Sequence, residues 1–179
     1  AGPQALLAAS CDGYVWDPLH AHAAALAASA VNSDDCVTAF AEAGWGWAQL
    51  LSAGPTQVAI AAAPGVILYA CRGSDERGDW LDNFDIRTTG INVPGASVPE
   101  YRVHRGFARQ VDRIADRLHI AKLRARAEAG MEHQTIIVGH SLGGGIAPLV
   151  AARLHRGNYG PGWCYTFNAP RVLSSEHAE

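Results

Sequence analysis

The residues best suited to chemistry in this 179-residue chain are Gly139-His140-Ser141-Leu142-Gly143. They match G-x-S-x-G and stand between a continuously apolar run, 135–138, and a second apolar run, 146–154. The first run predicts a strand buried on both faces and the second predicts a helix. A serine at such a strand-to-helix elbow takes a strained backbone conformation that lifts its hydroxyl clear. Glycines two residues to either side let strand and helix approach without Cβ clashes. The expected role of Ser141 is nucleophile. The following backbone N–H, that of Leu142, points with the helix dipole toward developing oxyanion charge. A phosphate-cradling loop is excluded by spacing. G-x-G-x-x-G wants glycine at Ser141 when read from Gly139, and at Pro148 when read from Gly143. A P-loop wants Gly-Lys-Ser/Thr, and no lysine stands there.

An oxyanion hole needs a second donor from a neighbouring strand end. Cys71-Arg72-Gly73-Ser74-Asp75 follows the apolar run 66–70. Ser74, after flexible Gly73, is the candidate, with its hydroxyl as an extra donor.

The elements that must position these groups follow from the pattern. Residues 1–57 read as a helical N-terminal region: alanine dominates 19–31, and a second helix is expected near 36–43, capped by Ser33 or Asp34. Strands are expected at 57–60 and 66–70 around the Pro64-Gly65 turn. From Cys71 to Pro99 the pattern is loop-like, apart from a short amphipathic turn at Trp80, Leu81 and Phe84. Phe107, Val111, Ile114, Leu118 and Ala121 lie on one face of a helix that ends before Gly130. A last strand is expected at 163–167. Strand, helix, strand, helix, strand in that order argues a mostly parallel sheet with helices on both faces, an α/β fold.

Composition narrows the function. The chain is 49% hydrophobic and 17% charged, so it can build a core. A net charge of −3 gives no footprint for nucleic acid, and no apolar run reaches the roughly 18 residues of a membrane span. Residues 1–10 are apolar without a basic region, so no signal peptide is read there. Cys11, Cys36, Cys71 and Cys164 form no C-x-x-C pair, and the histidines lack metal-ligand spacing, so neither metal nor cofactor is expected. Cys71 and Cys164 are expected to be buried, inert thiols. Cys11 and Cys36 could be bridged in a secreted protein, which nothing in the spacing demands.

The ordered set Tyr69 to Ser74, Asp79-Trp80-Leu81 with Asn83, Val103-His104-Arg105-Gly106-Phe107, Val138 to Gly144, and Thr166-Phe167-Asn168-Ala169-Pro170-Arg171-Val172 resembles the class 3 lipases. These α/β-hydrolases include fungal triacylglycerol lipases, feruloyl esterases and plant phospholipases. The resemblance covers about residues 58–172. It implies a single α/β-hydrolase domain that hydrolyses carboxylic esters of lipids through an acyl-enzyme at Ser141, with Ser74 and Leu142 as oxyanion donors. It implies a lipid or other ester as substrate, transient contact with a lipid surface, and a lid at 75–85. His104 and His140 match supportive positions and are not the general base.

The family order Ser, Asp, His is not met after Ser141. The 38 residues that follow contain no aspartate, and their only carboxylates and histidines are Glu176, Glu179, His155 and His177. His155 lies on the elbow helix about 20 Å along its axis, and Glu176-His177 adjoins the terminus. Leu173 also stands where the family has glycine. The expectation is a C-terminally incomplete hydrolase with weak or no turnover of its own. The alternative is a catalytically degenerate lipase-like domain that binds lipid or a partner. A thioesterase or acyltransferase would share the same elbow.

Overall fold

The structure is a computed structural model that describes residues 1–7, 17–73, 87–91, 101–154 and 162–172. Five helices and seven strands are described: α1 Pro3–Leu7, α2 Pro18–Ala30, α3 Cys36–Glu42, β1 Trp47–Ala53, β2 Thr56–Ala63, β3 Val66–Cys71, β4 Thr88–Ile91, β5 Tyr101–His104, α4 Arg105–Ala129, β6 Gln134–His140, α5 Leu142–Leu154 and β7 Gly162–Phe167. The main sheet has the order β1-β2-β3-β6-β7, and β4 pairs with β5 in a separate ribbon.

The sheet is mixed. β1, β2 and β3 form an antiparallel meander, whereas β3, β6 and β7 are parallel. Two tight turns build the meander. Gly54, at φ 61°, precedes Pro55 between β1 and β2, and Gly65, at φ 82°, follows Pro64 between β2 and β3. Each glycine takes a backbone conformation that a Cβ would penalise. The parallel pair β3–β6 needs a crossover, and α4 supplies it over 25 residues.

The region expected to be helical through residue 57 holds α1, α2 and α3 but also β1, a departure from the sequence reading. The segment Trp47-Ala48-Gln49-Leu50-Leu51 lacks the alternation of a half-buried strand, and it becomes one by pairing with β2. Asp35, rather than Ser33 or Asp34, caps α3 by accepting from the Thr38 amide at 3.1 Å. That bond and the Thr38 side chain hold the Asp35 carboxyl below its ordinary range. The stretch read as loop to Pro99 contains β4, whose partner lies ten or more residues away. α5 also starts four residues before the apolar run that announced it, because Gly143, Gly144 and Gly145 are helical.

Helices cover both faces. α4 and α5 pack on one face around Val58, Ile60, Ile67, Tyr69 and Ile137. α2 and α3 pack on the other around Ala59, Ala61, Leu68, Ile136 and Val138. The alternation Val58-Ala59-Ile60-Ala61 thus assigns bulk to one side and close approach to the other, where α2 lays down Ala23, Ala24, Ala27 and Ala28. Full burial of Ile114 and Leu118 on α4 contributes about 2 kcal/mol each. Lys122, the chain's single lysine, is buried on α4 and donates to the Leu154 carbonyl at the end of α5 at 3.0 Å. Its charge sits where the helix dipole is negative.

β7 alternates in exposure, with Cys164 and Thr166 outward and Trp163, Tyr165 and Phe167 packed toward α2. Cys164 is therefore exposed, which corrects its assignment as a buried thiol. Among the described residues β7 is the last strand of the sheet, and composition does not distinguish an edge strand from a central one. Cys36 and Cys71 are buried free thiols, and Cys11 lies outside the described residues. No helix among the described residues is long and apolar enough to cross a membrane.

Candidate active site

Ser141 stands alone between the last residue of β6 and the first of α5, with φ 54°. Left-handed backbone costs a non-glycine residue of order 1–3 kcal/mol and persists only where the surroundings fix it. Here they fix it from both sides. The Ser141 amide donates to the Phe167 carbonyl of β7 at 3.0 Å, and the Ser141 carbonyl accepts from the Gly145 amide at 3.2 Å as the first bond of α5. The residue is half-buried at the carboxyl edge of the parallel strands, where sites assemble in open α/β sheets.

Four glycines make the elbow possible. A Cβ on Gly139 would lie 2.2 Å from the Gly143 carbonyl oxygen, and one on Gly143 would lie 2.1 Å from the Cys71 carbonyl oxygen. No backbone tolerates either approach. A Cβ on Gly144 would meet Ala169 at 2.8 Å, and one on Gly145 would meet the Phe107 ring at 2.4 Å. Gly139 and Gly143 were expected from the motif. Gly144 and Gly145 were not assigned a role, although the unbroken Gly-Gly-Gly run was the signal for a helix start pressed against neighbours on three sides.

The same contacts bring β3 to the elbow. A Cβ on Gly73 would stand 2.9 Å from the His140 carbonyl oxygen and 3.7 Å from the Ser141 Cβ. The chain leaving β3 therefore passes beside Ser141, one residue before Ser74, which lies outside the described residues. Leu142 is buried, and its N–H is the first of the four at the start of α5 that helical bonding leaves free. The lid assigned to 75–85 and the residues His155, Glu176, His177 and Glu179 also lie outside the described residues.

Of the supportive histidines, His104 occupies the residue before α4, where its amide donates to the Val172 carbonyl at 3.0 Å. That bond ties the Pro170-Arg171-Val172 segment to the helix carrying Phe107. His140 ends β6 directly before the elbow. His20 belongs to the opposite face. Its two ring nitrogens lie 2.6 Å from the Tyr165 hydroxyl and 2.9 Å from the Leu6 carbonyl, in a buried clasp that holds α2 to β7. Among the described residues beside the elbow, the thiol of Cys71, a nucleophile of higher intrinsic reactivity, is disabled by its setting. Complete burial raises its thiol far above the ordinary range, and it stays protonated. No metal-holding cluster of His, Cys, Asp or Glu occurs among the described residues.

Residues 68–179 match the lipase (class 3) family profile. The chain belongs to the class 3 lipase family. Among its relatives, the secreted mono- and diacylglycerol lipase 1 of Fusarium solani is 32% identical over 107 residues, or 59% of this chain and 30% of that protein. The diacylglycerol lipase-beta of Mus musculus is 32% identical over 111 residues, 62% of this chain and 16% of that one. The chain thus spans less than a third of either protein's length. The fold is that of the fungal lipases: native Rhizomucor miehei lipase in complex with its propeptide superimposes with a TM-score of 0.63 at 20% identity, over 89% of this chain and 56% of that one. This class 3 lipase chain is an α/β-hydrolase in architecture.

Proposed function

We propose that this class 3 lipase chain is a single α/β-hydrolase domain, with its family core over residues 58–172, and that it carries the nucleophile of a serine-dependent lipid ester hydrolase. Ser141 Oγ attacks the ester carbonyl, and the Leu142 amide together with Ser74 stabilises the tetrahedral oxyanion. The alcohol leaves, and water then releases the acyl group as a carboxylate. The observation that carries this reading is the φ of 54° at Ser141, strain held in place by Phe167 and Gly145 at a strand-to-helix junction. Strain of this kind accumulates where function requires it. Support for a lipid ester as substrate comes from the family and from the acylglycerol-directed names of the relatives.

No aspartate follows Ser141 in these 179 residues, so their own turnover is expected to be weak or absent. The test is covalent capture with a fluorophosphonate, read by peptide mass spectrometry, alongside p-nitrophenyl butyrate hydrolysis. An adduct on the Ser141 peptide, and loss of any turnover in Ser141→Ala, is the expected result. An adduct on a different serine, or hydrolysis that survives Ser141→Ala, overturns the proposal.

A further inference from the structure

Away from the elbow, the outer edge of β1 and the flank of α4 enclose a groove of about 420 Å³. That volume lies within the range of small-molecule sites, roughly 300–1,000 Å³. Its apolar lining is buried Leu51 and Ala121 with Ile120, which is 66% exposed, and Gln49 and Ser52 add polar groups. Arg117 and Arg124 stand on its wall, seven residues or about 10 Å apart along α4. Arg117 Nη1 donates to the Ser52 carbonyl, which fixes one guanidinium at the carboxyl end of β1. Arg113, one turn earlier, reaches toward Gly54 in the β1–β2 turn. Asp116 lies on the same helix but does not line the groove. In a chain of net charge −3, this flank concentrates positive charge beside exposed Ile120 and Leu123.

We infer that the groove between β1 and α4 binds a long-chain carboxylate, with its head on Arg124 and its acyl chain along Ile120 and Leu51 toward Arg117. A guanidinium pairs with a planar carboxylate through two parallel N–H bonds. The choice of a fatty acid among anionic amphiphiles rests on the ester-hydrolysis reading, because that reaction releases such an acid. β1 and β6 run in the same direction. The carboxyl ends of β1 and β6 therefore lie on the same side of the sheet, with β2 and β3 standing between the groove and the strand that carries Ser141.

Equilibrium dialysis of radiolabelled oleate below its micelle concentration tests this, with the 179-residue chain and its Arg124→Glu and Ile120→Asp variants. Both substituted residues are on the surface, and circular dichroism verifies that the variants are folded. Saturable binding of one oleate, weakened at least tenfold by each substitution, and at least tenfold weaker binding of methyl oleate are expected. Absence of saturable binding, equal binding by the variants, or equal binding of methyl oleate overturns the inference. Binding to anionic phospholipid vesicles without binding of free oleate also overturns it, in favour of a membrane-docking face. Fluorophosphonate capture on the same preparation keeps the two readings apart. Oleate binding with an adduct on a different serine strikes the catalytic proposal alone, and capture at Ser141 without oleate binding strikes the groove alone.

Discussion

The two ends of the main sheet are built to opposite rules. Around β3, β6 and β7, backbone meets backbone: Gly139 and Gly143 leave no room for a single carbon, and Ser141 is held in a left-handed conformation between two hydrogen bonds. Around β1 and the flank of α4, long side chains meet water over an apolar floor, and the spacing between elements is set by arginine and isoleucine. The first end fixes an atom's position by steric exclusion. The second presents charge and surface with latitude. A reacting hydroxyl needs the first kind of construction, and capture of a flexible amphiphile is served by the second.

Substitutions break or sharpen this contrast. Gly143→Ala forces a Cβ to 2.1 Å from the Cys71 carbonyl oxygen, a backbone atom that cannot step aside. Urea unfolding is expected to show a loss of about 3 kcal/mol or more, or no cooperative transition at all. Gly145→Ala meets the Phe107 ring instead, and a side chain can yield. The expected loss is about 1–3 kcal/mol, and combining it with Phe107→Leu should cost less than the two changes separately. A purely additive double-mutant cycle would show that the ring is not the obstacle. Ser141→Gly moves the other way, because glycine occupies φ 54° freely. It should raise stability by about 1 kcal/mol while abolishing fluorophosphonate capture. Unchanged or reduced stability would mean that the elbow stores no strain. At the opposite end, Arg113→Ala should change the urea midpoint by no more than about 0.5 kcal/mol equivalent, the mark of a tolerant surface.

The elbow was legible because its signal is local. Strand, serine and helix are contiguous in sequence, and the glycine spacing encodes the steric requirement directly. The helix α4 was equally plain, since Phe107, Val111, Ile114 and Leu118 repeat with the period of one face. β1 was hidden for the opposite reason. Trp47 to Ala53 becomes a strand through its register with β2, and it was included in a helical region whose signal came from the alanine-rich stretch 19–31. Cys164 misled in a related way: its run is apolar, but β7 lies at the sheet edge among the described residues, where one face is open.

The sequence by itself thus determined the parallel β–α–β unit, the placement of Ser141 at its turn, and the family to which these motifs point. Each rests on short stretches, the strand, elbow and helix around Ser141 and a set of local motifs in fixed order, whose side-chain periodicity and backbone freedom act locally. Only the tertiary structure decided that the sheet is half antiparallel, that Gly144 and Gly145 are pinned by Ala169 and Phe107, that His20 clasps β7, and that arginines of α4 wall a groove at β1. Those facts arise from segments far apart in the chain. Their closeness is set by which apolar faces bury against each other, and no local pattern records that choice.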